Sequence, residues 1–155
     1  MDKEKLNQIV EKYEELNFLI HKRVEYLIHQ QISETLTYDQ HYVLKYIHKR
    51  KMTTASELAE LLNVNKSAIT ALINRLEEKE LIVRKRLAED RRIVHLSLSE
   101  RGHALFDQCE QKINVLVTKL INKFNEDEIV QFVQTYEKLA IILDEAIKDK
   151  KGDHS

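Results

Sequence analysis

The sequence lacks proline and tryptophan and has only 2 glycines among its 155 residues. Proline and glycine interrupt helices more than other residues do, so helices along this chain meet few breaks. The 33% of charged and 43% of hydrophobic residues suit helices that are buried on one side. We therefore expect a mainly α-helical fold with one core, which pairing with a second chain can complete.

The sequence also lacks the features of secreted and membrane proteins. Cys109 is its one cysteine, so no internal disulfide can form, which agrees with a reducing compartment. It has no apolar run of about eighteen residues and no charged-then-apolar leader. We therefore expect a cytoplasmic protein without membrane contact.

Motifs of catalysis are missing as well. There is no glycine-rich phosphate loop, no His-Glu-x-x-His pair and no nucleophile elbow. We expect no enzymatic activity and no cofactor.

The net charge of −1 looks unsuited to nucleic acid, but the charge is unevenly distributed. Residues 63–101 hold nine Lys and Arg against six Asp and Glu, a local charge of +3, so the remainder carries −4. A basic middle between acidic helices is expected when one face of a protein meets a polyanion. An ordinary solvated surface is the alternative.

A long amphipathic helix is expected at the amino-terminal end. Its apolar residues recur at steps of three and four and share one stripe, which holds Leu6, Ile9, Val10, Tyr13, Leu16, Ile20, Val24 and Leu27. From about Lys3 to Gln31 this helix is roughly 45 Å long, more than a small domain needs to cover its own core. Part of the stripe is therefore expected to face a partner chain.

Capping boxes mark three helix starts, because a cap residue and a Glu or Gln three residues later satisfy each other's orphan amides. They are Thr37 with Gln40, Thr54 with Glu57, and Asn125 with Glu128. From Thr54 to Glu80 the pattern is helix, short turn, helix, which can hold the second helix in the major groove of DNA. The candidate groove contacts on its outer face are Lys66, Ser67, Thr70, Asn74 and Arg75.

A basic hairpin is expected directly after that helix. Val94, Leu96 and Leu98 alternate with polar residues, which predicts a half-buried strand paired with Ile82 to Arg86 across a tip from Leu87 to Arg91. Such a wing can insert Arg into the minor groove. Its candidate contacts are Arg84, Arg86, Asp90, Arg91 and Arg92. Asp90 is expected to orient a guanidinium or to form the turn.

Two further helices are expected at the carboxyl-terminal end. Ser99 caps the first, whose apolar series is Leu105, Cys109, Ile113, Leu116, Leu120 and Phe124. The expected fold is mainly α, a winged helix-turn-helix with a small antiparallel β-hairpin wing and long terminal dimerisation helices. We expect dimerisation helices at 1–34 and 100–148, a DNA-binding lobe at 35–99 and a flexible tail at 149–155.

These motifs together resemble the MarR family of winged-helix transcription regulators. The resemblance is carried by the segments Asn65–Thr70 and Leu76–Ile82, by the Asp90-Arg91-Arg92 wing and by Leu96–Ser99 after it. It implies a homodimer, joined by the first and the last two helices, that binds a pseudo-palindromic operator in double-stranded DNA. Such regulators are commonly repressors released by a small molecule, an oxidant or a metal.

The resemblance also implies roles for single residues. Those matching Ser67, Thr70 and Arg75 face the major groove, and those matching Asp90 and Arg92 form an Asp-x-Arg pair. Glu80 is a departure, because the family usually has Gly there in a left-handed turn. A side chain at that position costs about 1 kcal/mol, or the turn differs.

Regulation leaves several alternatives open. A small-molecule pocket is expected near the first helix, the Thr37 helix and the Ser99 helix, with candidate lining residues Tyr13, His21, Tyr38, His41 and Tyr42. Metal sensing would use either His21, Glu25 and His29 or His103 and Asp107, but solvated helix residues are the expected interpretation, so no metal site is assigned. Redox sensing would use Cys109, for which a place in the core is the expected role. A winged helix that binds protein instead of DNA is the remaining alternative.

Overall fold

The computed structural model describes residues 2–32 and 34–152 and contains six helices and one hairpin within them. The elements are α1 (Lys3–Ile32), α2 (Tyr38–Arg50), α3 (Ala55–Leu62), α4 (Lys66–Glu78), β1 (Ile82–Arg86), β2 (Val94–Leu98), α5 (Glu100–Ile121) and α6 (Glu126–Gly152). The expected mainly α winged helix-turn-helix is confirmed. No helix in these ranges is long and apolar enough to cross a membrane.

The chain divides into two compact units, residues 1–114 and 115–155, with α5 beginning in the first and ending in the second. The core of the first unit comes mainly from α2, α3, α4 and the hairpin, with further buried residues from the end of α1 and the first half of α5. Its most deeply buried apolar side chains, at most 2% exposed, include Val43, Leu44, Ile47, Leu58, Ile69, Ile73, Leu76, Leu81, Ile82 and Leu96. Burial of these side chains is the main force that fixes the two helices of the helix-turn-helix against each other.

All three capping boxes form as the sequence predicts. The Thr37 hydroxyl accepts a hydrogen bond from the Gln40 amide at 3.2 Å, and the Gln40 side chain accepts one from the Thr37 amide at 3.1 Å. The same reciprocal pairs occur at Thr54 with Glu57 and at Asn125 with Glu128. Each pair satisfies two amides that the first helical turn leaves without partners.

The hairpin has the predicted strands, in the antiparallel register Ile82↔Leu98 to Arg86↔Val94. Its loop covers residues 87–93 and so continues two residues beyond Arg91, where the predicted tip ended. A feature that the sequence pattern did not reveal is a bridge from Thr53, whose amide and carbonyl bond Leu96 at 3.0 and 2.7 Å. This bridge joins the wing to the segment that precedes α3.

The carboxyl-terminal helices differ from expectation at their ends. Ser99 caps α5 as predicted, because its hydroxyl accepts a hydrogen bond from the Gly102 amide at 2.9 Å. Phe124, expected in the apolar series of that helix, lies beyond its end at Ile121. The expected tail at 149–155 is corrected in part, because α6 continues to Gly152 and residues 153–155 lie outside the described residues. Lys150 and Lys151 are good helix formers with basic charge at the carboxyl end of the dipole, which favours this extension.

Candidate nucleic-acid interface

The turn between α3 and α4 is held by the residues at its two ends. Asn63 adopts a left-handed conformation with φ of 51°, and the amides of Asn63 and Val64 bond the carbonyls of Glu60 and Ala59. Asn65 then caps α4, its side chain accepting a hydrogen bond from the Ala68 amide at 2.8 Å. Asn tolerates the left-handed region better than most residues, so this sequence can turn sharply without glycine.

The outer face of α4 is open to solvent. The helix buries Ile69, Ile73 and Leu76, while the five predicted groove residues Lys66, Ser67, Thr70, Asn74 and Arg75 are all exposed. The Thr70 hydroxyl donates a hydrogen bond to the Lys66 carbonyl at 2.7 Å. The helix therefore presents polar and cationic groups over the length that a major groove can accept.

Arg84, predicted as a wing contact, is bound within the protein. Its Nε donates to both carboxylate oxygens of Glu77, at 3.2 and 2.9 Å, and its Nη2 donates to Oδ1 of Asn74 at 2.9 Å. Arg84 therefore ties β1 to two neighbouring turns of α4. Sequence reasoning missed this link, although the seven-residue separation of Glu77 and Arg84 across a turn was a possible signal.

The wing tip is organised by Asp90. Its carboxylate accepts a hydrogen bond from the Arg92 amide at 3.0 Å and lies 3.6 Å from the Arg92 Nε. Asp90 therefore has the turn-forming role that was considered for it, while its contact with the Arg92 guanidinium is an ion pair without a side-chain hydrogen bond. Arg86 closes the loop by donating to the Arg91 carbonyl at 2.6 Å. The Arg92 side chain remains 96% exposed.

The link from α4 to the wing uses a left-handed turn at Glu80. Its φ is 58°, a left-handed conformation that glycine adopts without the steric cost of a side chain. The Leu81 amide bonds the Leu76 carbonyl at 2.9 Å, and the Glu80 amide bonds the Glu77 carbonyl at 2.8 Å, the pattern of a Schellman motif. The turn is therefore retained despite the side chain, and the Glu80 carboxylate pairs with Arg101 at 3.2 Å.

The basic middle of the chain keeps several cations available for a polyanion. Three of its nine cationic side chains form ion pairs, namely Arg84, Arg92 and Arg101. Within the described ranges, the side chains of Lys66, Arg75, Lys85 and Arg91 have neither an ion pair nor a hydrogen bond. Unpaired exposed cations keep their full attraction for phosphates, so α4 and the wing form a positively charged surface.

Of the five residues expected to line an effector pocket, three lie on α2, namely Tyr38, His41 and Tyr42, and two lie on α1, namely Tyr13 and His21. Tyr13, Tyr38 and Tyr42 are 46%, 37% and 44% exposed, His21 is exposed on α1, and His41 is buried in the core. A cavity of about 430 Å³ lies elsewhere in the first unit, lined by Glu34, Thr35, Lys79, Leu81, Arg101, Ala104, Leu105 and Gln108. Spacing along the chain could not reveal this cavity, because its walls come from distant segments.

His41 belongs to a buried polar cluster that the sequence did not suggest. Its Nε2 lies 3.1 Å from the carboxylate of Glu110, which also pairs with Lys45, and its ring stacks on Phe106. Burial lowers the pKa of His41 against the opposing pull of Glu110. Burial would raise the pKa of Glu110, but its bonds to Lys45 and His41 outweigh that effect and lower it. The histidine is therefore neutral near pH 7 and donates to the carboxylate.

The proposed sensing residues have ordinary surroundings. Among residues 2–32 and 34–152, no three His, Cys, Asp or Glu side chains lie close enough to hold a metal ion. His21 only approaches Glu25, at 3.9 Å. Cys109 is buried, with its sulfur 3.7 Å from the Thr35 hydroxyl, which agrees with the core role expected for it.

Comparison with known proteins identifies the class. The MarR family model matches residues 36–94. The chain is 33% identical over 101 residues to the transcriptional repressor MdtR of Bacillus subtilis, a match that spans 65% of each chain. It is 27% identical to the uncharacterized regulator YwhA of the same organism, over 81% of this chain and 95% of that one.

Solved structures agree with these relatives. A mutant of MarR from E. coli complexed with operator DNA has a TM-score of 0.74 and 26% identity, covering 90% of this chain and 99% of that one. A MepR-like protein has a TM-score of 0.64 and 30% identity, covering 86% and 95%. The fold and the exposed cationic helix and wing thus define a DNA-binding transcription regulator, not an enzyme. The chain belongs to the MarR family.

Proposed function

We propose that this chain is a homodimeric repressor that binds a pseudo-palindromic operator and is released by a small-molecule effector. The observation that carries the proposal is the uncovered apolar stripe of α1. Its members Leu6, Ile9, Val10, Tyr13, Leu16, Ile20 and Val24 are each 40–48% exposed. A stripe of that length on a helix of roughly 45 Å is costly in water and favours a partner chain.

The last helix supports the same assembly. None of the described residues of α6 is buried, although Phe132, Val133, Tyr136 and Leu143 are large and apolar, each 46–50% exposed. We expect the helices in 1–34 and 100–148 to form the dimer and residues 35–99 to bind DNA. A dimer with two-fold symmetry binds two inverted half-sites, about 34 Å or one DNA turn apart.

Within each half-site, we expect α4 to lie in the major groove and the wing to reach the minor groove. Lys66, Ser67, Thr70, Asn74 and Arg75 support the first contact because they are exposed on one helix. Arg86, Arg91 and Arg92 support the second, while Arg84 acts through α4. A repressor must share a compartment with the chromosome, which supports the expected cytoplasmic location.

Selection of bound fragments from random duplex DNA, combined with the mass of the protein in solution, tests this proposal. We expect a particle of twice 18.4 kDa and an enriched motif with two inverted half-sites about ten base pairs apart. A monomer of 18.4 kDa, or an enriched motif without symmetry, would contradict it.

The effector is expected in the cavity beside the carboxyl end of α4. Its volume of about 430 Å³ is within the range of small-molecule sites, and Lys79 and Leu81 join it to the turn that leads to the wing. A ligand there can therefore change how the wing is held. Ala104→Trp would fill the cavity from an exposed position, so an effector should release DNA from the parent but not from this variant. Equal release from both would contradict this location.

A further inference from the structure

Asn74 is held in one orientation by a charged neighbour. The guanidinium of Arg84 has only donors, so the Asn74 atom 2.9 Å from its Nη2 must be the carbonyl oxygen. This fixes the amide assignment on chemical grounds, since the alternative would set two donors against each other. The Asn74 Nδ2 is then turned away from Arg84 and has no partner among the described residues.

The neighbour itself is anchored at several points. Arg84 lies in the middle of β1, opposite Leu96, so its backbone is fixed by the hairpin. Its Nε binds both oxygens of Glu77, and both side chains are less than half exposed, at 43% and 42%. Charge-assisted bonds of this kind are stronger than neutral ones. Rotating the Asn74 amide would therefore break a bond to a group that cannot easily follow.

The locked amide has consequences for base reading. A free Asn reads adenine with both of its groups, because the oxygen accepts from N6 while the nitrogen donates to N7. Because its oxygen is turned towards Arg84, Asn74 has its Nδ2 donors left to meet a base on its free side. Guanine presents two adjacent acceptors, N7 and O6, in the major groove, whereas adenine presents a donor beside its one acceptor.

We propose that Arg84 is a specificity-determining residue, which holds Asn74 as a donor-only contact so that α4 selects guanine and not adenine at the base pair it reads. The proposal rests on the operator binding proposed above. It gives Arg84 an effect on sequence preference without contact to DNA.

Selection from random duplex DNA, repeated with single variants, tests the assignment. We expect the parent to require guanine at one base pair of each half-site and Asn74→Ala to lose that preference. Replacing this guanine by adenine should lower the affinity of the parent about 3- to 10-fold and leave that of the variant nearly unchanged. Arg84→Met, which frees the Asn74 oxygen, should shift the same position towards adenine.

Lys85→Met is the matched control for Arg84→Met. It removes one cation from the next residue of β1, and its side chain has no contact with Asn74 among those the structure describes. We expect weaker binding to all sequences with an unchanged motif. Loss of charge alone therefore cannot imitate a shift in base preference. Thermal unfolding of each variant checks that the fold is kept.

A base analogue gives a second measurement that needs no change to Arg84. Replacing the selected guanine by 7-deazaguanine removes one acceptor, so the affinity of the parent should fall while that of Asn74→Ala should not. The assignment is overturned if Asn74→Ala selects the parental motif, if the parent selects adenine at the Asn74-dependent position, or if Arg84→Met keeps guanine. A parent that enriches no sequence overturns the proposed operator binding as well.

Discussion

Glu80 allows a quantitative test of the turn between α4 and the wing. Its φ of 58° lies where a Cβ atom is close to the following carbonyl, at a cost of about 1–2 kcal/mol. Glu80→Gly removes that cost, whereas Glu80→Ala keeps it. Both variants lose the pair with Arg101, so its contribution cancels in the comparison. Glycine also raises the conformational entropy of the unfolded chain, which offsets about 0.4–1 kcal/mol of the gain in stability.

From the middle of each range, the glycine variant should therefore exceed the alanine variant by about 0.8 kcal/mol in its free energy of unfolding. That difference corresponds to an increase of roughly 1–4 °C in Tm for a chain of this size. Urea unfolding followed by circular dichroism, at one fixed protein concentration because dimerisation contributes to stability, measures it.

A helical position provides the control with the opposite sign. Ala71 is exposed within α4, where glycine costs about 1 kcal/mol relative to alanine. Ala71→Gly should therefore destabilise the protein. An alanine variant at Glu80 as stable as the glycine variant, or more stable, would refute the left-handed conformation and with it the described path of the chain into the wing.

Three further predictions concern packing, pH and DNA. Gly102→Ala should cost about 2–3 kcal/mol of unfolding free energy, measured in urea, because a Cβ there would lie 2.0 Å from the Leu81 carbonyl oxygen. The pKa of His41 is lower in the folded than in the unfolded chain, so as the pH falls the unfolded chain binds a proton before the folded chain does. The contribution of His41 to stability should therefore be constant above about pH 6.5 and fall below it, by up to about 1.4 kcal/mol per pH unit. His41→Gln should remove that slope in unfolding measured between pH 5 and 8. Arg92→Ala should weaken DNA binding for all sequences and reduce the salt slope by about one, measured by fluorescence anisotropy.

Each of these has a control with the same substitution. Gly152→Ala places its Cβ in open space and should not destabilise the protein. His21→Gln makes the same substitution at an exposed histidine and so separates the effect of the substitution itself from that of the buried site. Lys12→Ala removes a cation outside the basic middle and should leave the salt slope unchanged. A pH slope that persists in His41→Gln, or a salt slope unchanged in Arg92→Ala, would contradict the corresponding assignment.

Local signals predicted much of the fold. The caps at Thr37, Thr54, Asn125 and Ser99 formed where the sequence places them, because a cap and its partner lie three residues apart. The alternation of apolar and polar residues from Val94 to Leu98 predicted β2, because this pattern too depends only on neighbouring residues. The predicted end of α6 was wrong because the polar, charged composition was taken as a sign of a tail, although lysines near the carboxyl end of a helix favour its continuation.

The site was predicted less completely. The exposed face of α4 followed from the helical spacing of its apolar residues, because these occupy one face and the polar residues must then lie on the other. The pairing of His41 with Glu110 joins positions 69 residues apart, and periodicity contains no such information. The effector residues were chosen because aromatic and histidine side chains suit a ligand, yet their positions on the folded chain decide whether they meet.

The sequence by itself determined which segments are helices and strands, where each begins, and which side of each is apolar, because these properties depend on neighbouring residues. The tertiary structure decided which polar groups remain available to DNA. Arg84 and Arg92 are equal in the sequence, but packing β1 against α4 brings Glu77 and Asn74 to the first and leaves the second almost fully exposed. Charge is a property of the residue, whereas its availability depends on contacts between distant segments.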